Sequence, residues 1–145
     1  MSGSARFEFV DSVTSDLSFV AWGGTLEELF AAAAEALLAA TLENPDCVGS
    51  ELRRSLSLEE PDLDLLLLRY LNELVYLRDA EHLLLRPRDL RVSRDGGARL
   101  EAQLVGEAIR PERHRLAGDV KAATAYGLEV SPVDSGWRAT VTLDV

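Results

Sequence analysis

A leucine-rich segment that begins just after Pro61 constrains the fold more than any other part of the sequence. Its apolar side chains recur at spacings of three and four residues, which predicts an amphipathic helix. This stripe consists of Leu63, Leu66, Leu67, Tyr70, Leu71 and Leu74. Leu65 and Leu68 widen the apolar surface, and Pro61 suits the first helical position, where a backbone N–H is not needed. We therefore expect this helix to be central in the core.

A second helix is predicted from a capping signal nearer the N-terminus. Thr25 is followed three residues later by Glu28, the pattern of a capping box, in which each side chain accepts a hydrogen bond from the backbone N–H of the other residue. The preceding pair Gly23-Gly24 ends a strand. One helical stripe follows, made of Leu26, Leu29, Phe30, Ala33 and Leu37.

The remaining segments alternate between apolar and polar residues, which predicts β-strands. These strands are expected at residues 7–10, 17–22, 52–58, 83–85, 90–93, 99–105, 120–130 and 137–145. A hairpin turn is expected at Asp95-Gly96-Gly97, and a bend at Gly127 in the seventh strand. Two helices separated and followed by hairpin-connected strands predict an α+β fold, a sandwich in which two helices pack on a largely antiparallel or mixed β-sheet.

The length and composition are those of one globular domain. The chain has 145 residues, of which 47% are hydrophobic, and a chain of this length buries roughly 68% of its unfolded surface. We expect residues 1–6 to form a flexible N-terminus and residues 7–145 to form a single domain.

The charge balance limits the class of partner. Asp and Glu number 25 against 15 Lys and Arg, so the formal net charge is −10 and phosphate backbones are repelled at long range. Direct, tight binding of nucleic acid is therefore not expected. A negative surface suits a basic protein partner or a cation.

Residue types exclude several kinds of site. Cys47 is the only cysteine and His82 and His114 are the only histidines, so neither an internal disulfide nor a cysteine-ligated zinc site is expected. Neither histidine lies in the sequence context of a serine hydrolase, and no glycine-rich nucleotide-binding motif is present. The sequence has no leader-like apolar segment and no apolar run approaching about 18 residues, so we expect a cytoplasmic protein without a membrane span.

Aspartates in two parts of the sequence are candidates for a cation site, because hard cations such as Ca²⁺ and Mg²⁺ prefer oxygen ligands. Asp144 lies on the polar face of the last strand, one residue before the terminal carboxylate. Asp11 and Asp16 bracket a polar loop between the first two strands. The residues alone favour simpler interpretations, namely a frayed chain end and aspartates that cap turns.

Lys121 is a third candidate. Its ammonium can pair with the neighbouring Asp119 or reach a phosphate or carboxylate of a ligand, and a local surface ion pair is the simpler interpretation.

Several short motifs, taken in order, resemble the archease family over about residues 7–145. They are Ala21-Trp22-Gly23-Gly24-Thr25-Leu26-Glu27-Glu28, Tyr70-Leu71-Asn72-Glu73-Leu74, Asp79-Ala80-Glu81, Gly106-Glu107, Pro111-Glu112-Arg113-His114, Asp119-Val120-Lys121-Ala122 and Leu143-Asp144-Val145. This resemblance implies a small metal-binding protein that assists the RtcB-type RNA ligase, a GTP-dependent enzyme of tRNA splicing and RNA repair. It implies that the protein promotes guanylylation and repeated turnover of the ligase and is not itself the ligase.

The same resemblance assigns residues to these roles. It implies that Asp16, Asp144 and Val145 bind a divalent cation, Ca²⁺ or Mg²⁺, and that Lys121 contacts the partner. The sequence departs from the family at Val13, where archeases usually have histidine. Two alternatives stay open: a metal-dependent phosphoester hydrolase that uses Asp16 and Asp144, and a chaperone-like factor that remodels its partner.

Overall fold

The computed structural model describes residues 5–10 and 16–145, which form two α-helices and seven strands. The strands are β1 (Arg6–Val10), β2 (Leu17–Gly23), β3 (Leu52–Glu60), β4 (Leu83–Ser93), β5 (Ala98–Ala108), β6 (Ala122–Val133) and β7 (Gly136–Asp144). The helices are α1 (Leu26–Thr41) and α2 (Leu63–Glu81), and a short 3₁₀ turn spans Pro45–Cys47. The predicted α+β class is confirmed. Strand β1 already begins at Arg6, and residues 1–4 of the predicted N-terminal segment lie outside the described part.

The strands divide between two antiparallel sheets. The first sheet has the order β1-β2-β7-β6 and the second has the order β3-β5-β4. The first sheet therefore joins both ends of the chain, because β2 pairs with β7 from Leu17 opposite Leu143 to Gly23 opposite Trp137. This long-range pairing positions the C-terminal residues beside the start of β2.

Helix α1, and not the leucine-rich α2, is the more deeply buried helix. Ten of the 16 residues of α1 are buried, against seven of the 19 residues of α2. Small side chains allow this close packing: a Cβ on Gly23 would lie 2.3 Å from the backbone nitrogen of Leu29, and alanines fill much of the buried surface of α1. Helix α2 contributes fully buried side chains to the core, among them Leu66, Leu67 and Tyr70, but the predicted widening of its buried face is wrong at Leu65, which is 40% exposed.

The ends of both helices follow their capping residues. The capping box of α1 is confirmed, with the Thr25 hydroxyl accepting from the Glu28 N–H at 3.1 Å and a Glu28 carboxylate oxygen accepting from the Thr25 N–H at 3.0 Å. In α2 the cap is Asp62, whose Oδ1 accepts from the Leu65 N–H at 2.9 Å. Pro61 therefore precedes the cap and does not occupy the first helical position.

Strand β4 is continuous where the sequence predicted two strands. Its pairing with β5 runs from Leu83 to Ser93, with a shift in register between Pro87 and Asp89. Proline is tolerated there because β4 is an edge strand and one side of its backbone needs no partner in the sheet. The predicted bend in β6 is confirmed at Gly127, whose φ of 65° suits glycine.

Neither of the two described helices has the length and apolar composition of a membrane span.

Candidate functional site

The register between β2 and β7 brings the two candidate aspartates to the same end of the first sheet. Leu17, at the start of β2, pairs with Leu143 in β7. Asp16 directly precedes Leu17 and Asp144 directly follows Leu143, and antiparallel neighbours lie about 4.8 Å apart. Leu143 is fully buried and Asp144 is exposed, as the alternation of strand residues requires.

Strand β6 adds Lys121 to this end of the sheet. Ala122, its first residue, pairs with Asp144, and the Lys121 N–H donates to the Asp144 carbonyl at 2.8 Å. Lys121 is itself exposed. The structure thus brings the positions of Asp16, Asp144 and Lys121 together, with Val145 immediately beyond. We call these four residues the acidic end.

A row of hydroxyl groups crosses the same three strands one step inside the acidic end. The Ser18 and Thr142 hydroxyl oxygens lie 3.0 Å apart, and the Thr124 hydroxyl donates to the Thr142 carbonyl at 3.0 Å. These contacts tie β2, β7 and β6 together beside the candidate aspartates. The only sequence signal for this row is the alternation of β7, which places Thr142 on the same face as Asp144.

The donor set of the acidic end fits a hard cation. Its side-chain donors are carboxylate oxygens, the ligand type that Ca²⁺ and Mg²⁺ prefer. The Asp144 side chain makes no hydrogen bond or ion pair with residues 5–10 or 16–145, so its oxygens are available. Within those ranges no group of three or more His, Cys, Asp or Glu side chains is arranged for a metal. Asp11 and Val13 lie outside the described residues.

A second carboxylate, that of Glu107 near the end of β5, is completely buried. Its Oε2 accepts from the Gly49 N–H at 2.5 Å, and its Oε1 lies 2.7 Å from Nε of Arg113 and 2.8 Å from Nε2 of His114. Burial by itself raises the pKa of Glu107. The hydrogen bonds from Gly49 and Arg113 and the positive charge of Arg113 outweigh that effect, so the pKa lies below its usual value.

The contacts of His114 determine its tautomer. Its Nδ1 accepts from the Arg110 N–H at 2.9 Å, so a neutral ring carries its proton on Nε2, which faces Glu107. The Nε2 atom is close to the carboxylate but is not aligned for a hydrogen bond with it. Within the described part of the chain, Nε2 has no hydrogen-bond partner.

The Glu107 cluster, which consists of Glu107, Arg113, His114 and Gly49, joins two loops. Arg113 also donates to the Cys47 carbonyl at 2.5 Å. Nearby, the Asn44 side chain donates to the Arg113 carbonyl at 3.0 Å and accepts from the Arg115 N–H at 2.9 Å. Because both carboxylate oxygens of Glu107 are engaged, this cluster is built to hold the loops and not to bind a ligand.

Comparisons with known proteins match this chain along nearly its whole length. The sequence pattern of the archease protein family covers residues 7–145. The archease of Methanosarcina acetivorans is 32% identical over 147 residues, covering 99% of each chain, and that of Pyrobaculum neutrophilum is 36% identical over 134 residues, covering 91% of this chain and 90% of its own. The chain belongs to the archease family.

Solved structures agree in fold. The solution structure of protein 1598 of Methanobacterium thermoautotrophicum has a TM-score of 0.82 at 32% identity, covering 96% of this chain and 98% of its own. A crystal structure from Thermotoga maritima, described as that of an archease and possible chaperone, has a TM-score of 0.59 at 16% identity, covering 94% and 95%. The sequence matches confirm the expected family, and the solved structures agree with its fold. Metal binding at the acidic end, and the ligase as partner, stay predictions.

Proposed function

We propose that this protein is a metal-binding accessory factor of an RtcB-type RNA ligase, which promotes guanylylation and multiple turnover of the ligase in tRNA splicing or RNA repair. The observation that supports the proposal is the acidic end of the first sheet. It places two aspartates and a lysine together in a chain of the archease family, at the positions that the family resemblance assigns to a metal and a partner.

The residues of the acidic end have separate roles in this proposal. Carboxylate oxygens of Asp16 and Asp144 and the terminal carboxylate of Val145 hold a divalent cation, Ca²⁺ or Mg²⁺. Lys121 is exposed beside them and contacts the ligase or its nucleotide as a point charge. A bound cation supplies charge compensation for phosphate oxygens during guanylyl transfer.

The charge of the whole chain fits a protein partner better than RNA. With a net charge of −10, the protein repels an RNA backbone and complements a basic surface, such as the one an RNA-binding enzyme presents. The protein is therefore proposed to act on the ligase and not on the RNA, and not to be an enzyme itself.

The test is a time course of guanylylation of the cognate ligase, with and without this protein, in defined Mg²⁺, Mn²⁺ and Ca²⁺. We expect the wild-type chain to accelerate guanylylation and the Asp144→Ala variant to lose the effect. Asp134→Ala is the matched control, because it removes an equally exposed aspartate from the turn at the far end of the β6-β7 hairpin.

Other outcomes separate the alternatives. No acceleration in any of the three metals refutes the proposal. Full acceleration by the Asp144→Ala variant would instead indicate a chaperone-like action that needs no metal. Turnover of phosphoesters by the purified protein without any ligase would indicate a metal-dependent hydrolase.

A further inference from the structure

Asn72, in the second half of α2, contacts the backbone at the start of β6. Its Nδ2 donates to the Ala123 carbonyl at 3.0 Å, and its Oδ1 accepts from the Ala123 N–H at 2.8 Å. Strand β6 is the outer strand of the first sheet, so these two backbone groups have no neighbouring strand to pair with. The amide of Asn72 takes the place of that missing strand.

A second side chain of α2 holds the same segment. The Arg78 guanidinium, which is only 12% exposed, donates to the Val120 carbonyl. Residues on both sides of Lys121 are thus attached to α2. On the opposite side of this segment, the Lys121 N–H donates to the Asp144 carbonyl and Ala122 pairs with Asp144.

These contacts hold the end of β7 in place. Asp144 is the last residue of β7. Its backbone is tied on the β6 side to residues 121 and 122. Helix α2 holds the residues that flank this pair, Val120 through Arg78 and Ala123 through Asn72. Asparagine is also a poor helix former, so its place within α2 is not explained by helix propensity.

We propose that Asn72 is a positioning residue for the cation site at the acidic end. By pairing with both backbone groups of Ala123, it fixes the segment that carries Lys121 and that holds Asp144 in place. This inference rests on the proposed function, because it takes the acidic end to be the cation site. Asn72 itself is not a ligand in this proposal.

The test compares Asn72→Ala with a matched control, Asn44→Ala. Asn44 makes the same kind of two-sided amide contact, but with the backbone of Arg113 and Arg115. Binding of Ca²⁺ and of Mg²⁺ is measured by titration calorimetry at a temperature at which every variant is folded. Amide hydrogen exchange is followed at Lys121 and Ala123. Asn72→Gln, which keeps the amide but lengthens the side chain, is the milder variant if Asn72→Ala does not fold.

We expect Asn72→Ala to weaken cation binding about tenfold to a hundredfold, the usual loss when a group that orients ligands is removed. Exchange at Lys121 should become faster, Asn72→Gln should show a smaller change in the same direction, and Asn44→Ala should leave both measurements unchanged. Cation binding by Asn72→Ala within twofold of wild type would overturn the inference and leave the proposed function standing. An equal loss in Asn44→Ala would also overturn it. A wild-type chain that binds neither cation would refute the cation site itself.

Discussion

Two carboxylates near strand ends, those of Glu107 and Asp144, have opposite surroundings. Glu107 is completely buried and is contacted by Gly49, Arg113 and His114. Asp144 is exposed, and its side chain has no ion pair or hydrogen bond with the described residues. An acidic residue near a strand end therefore has a structural role when its carboxylate oxygens accept hydrogen bonds or form ion pairs within the protein. It can bind a ligand when they do not. Burial and contacts, and not residue type, distinguish the two.

The largest effect should follow from Glu107→Ala. This change removes the acceptor of the Gly49 N–H and of the Arg113 guanidinium and leaves the buried His114 ring without the neighbouring carboxylate, and removing one member of such a cluster is costly. We expect the free energy of unfolding to fall by about 3 kcal/mol, toward the lower part of the range for broken buried pairs because Arg113 is 46% exposed. Urea denaturation measures it. A loss below about 1 kcal/mol would mean that the cluster does not hold the loops.

The same contrast predicts a dependence on pH. The folded-state pKa of Glu107 lies below its unfolded value, so the folded state favours the ionised form. Its contribution to stability is therefore present above the unfolded pKa, about 4.3, and is lost as pH falls through the lower folded-state pKa. Urea denaturation across this range should show the stability gap between wild type and Glu107→Gln narrowing with falling pH. A gap that widens would contradict the assigned direction of the shift.

Tyr70 carries a buried polar group of a different kind from Glu107. Its hydroxyl is buried and has no hydrogen-bond partner in the described part of the chain, and burial raises its pKa far above the usual value. Tyr70→Phe removes a desolvated group without breaking a hydrogen bond. We expect the free energy of unfolding to stay the same or rise by up to about 1 kcal/mol. Thermal denaturation checks this, and a loss above about 1 kcal/mol would reveal a partner for the hydroxyl.

The smallest effect on stability is expected for Lys121→Ala. The side chain is exposed, while the Lys121 N–H that binds the Asp144 carbonyl is a backbone group and is retained. The free energy of unfolding should change by less than about 0.5 kcal/mol. Cation binding should persist, and stimulation of the ligase should fall. Stimulation equal to that of wild type would remove Lys121 from the proposed contact with the partner.

Local patterns in the sequence were enough to predict both helices, the capping box of α1 and the alternation that exposes Asp144. They failed for features that depend on tertiary packing, namely the burial of the helices and the continuity of β4. Leucine content suggested that α2 is central, but α1 is more deeply buried because its alanines allow close approach. Two strands were predicted at residues 83–85 and 90–93, but they form the single edge strand β4, which accommodates Pro87.

The two carboxylate regions differed most in how far they could be anticipated. Asp16 and Asp144 lie at opposite ends of the sequence, so local alternation could not place them together. The family resemblance linked them, and the pairing of β2 with β7 brings them to one end of a sheet. The sequence indicates the Glu107 cluster only through two short motifs, Gly106-Glu107 and Pro111-Glu112-Arg113-His114. Its contacts come from irregular loops, for which the sequence has no periodic signal.

A Ca²⁺ titration of wild type, Asp144→Asn and Asp134→Asn tests whether the acidic end binds a divalent cation, as proposed. Both variants remove one exposed negative charge, but only Asp144 belongs to the acidic end. We expect wild type and Asp134→Asn to bind Ca²⁺ alike and Asp144→Asn to bind it at least about tenfold more weakly, because a ligand is lost. Equal binding of Ca²⁺ by all three proteins, or binding by none of them, would contradict a cation site at the acidic end.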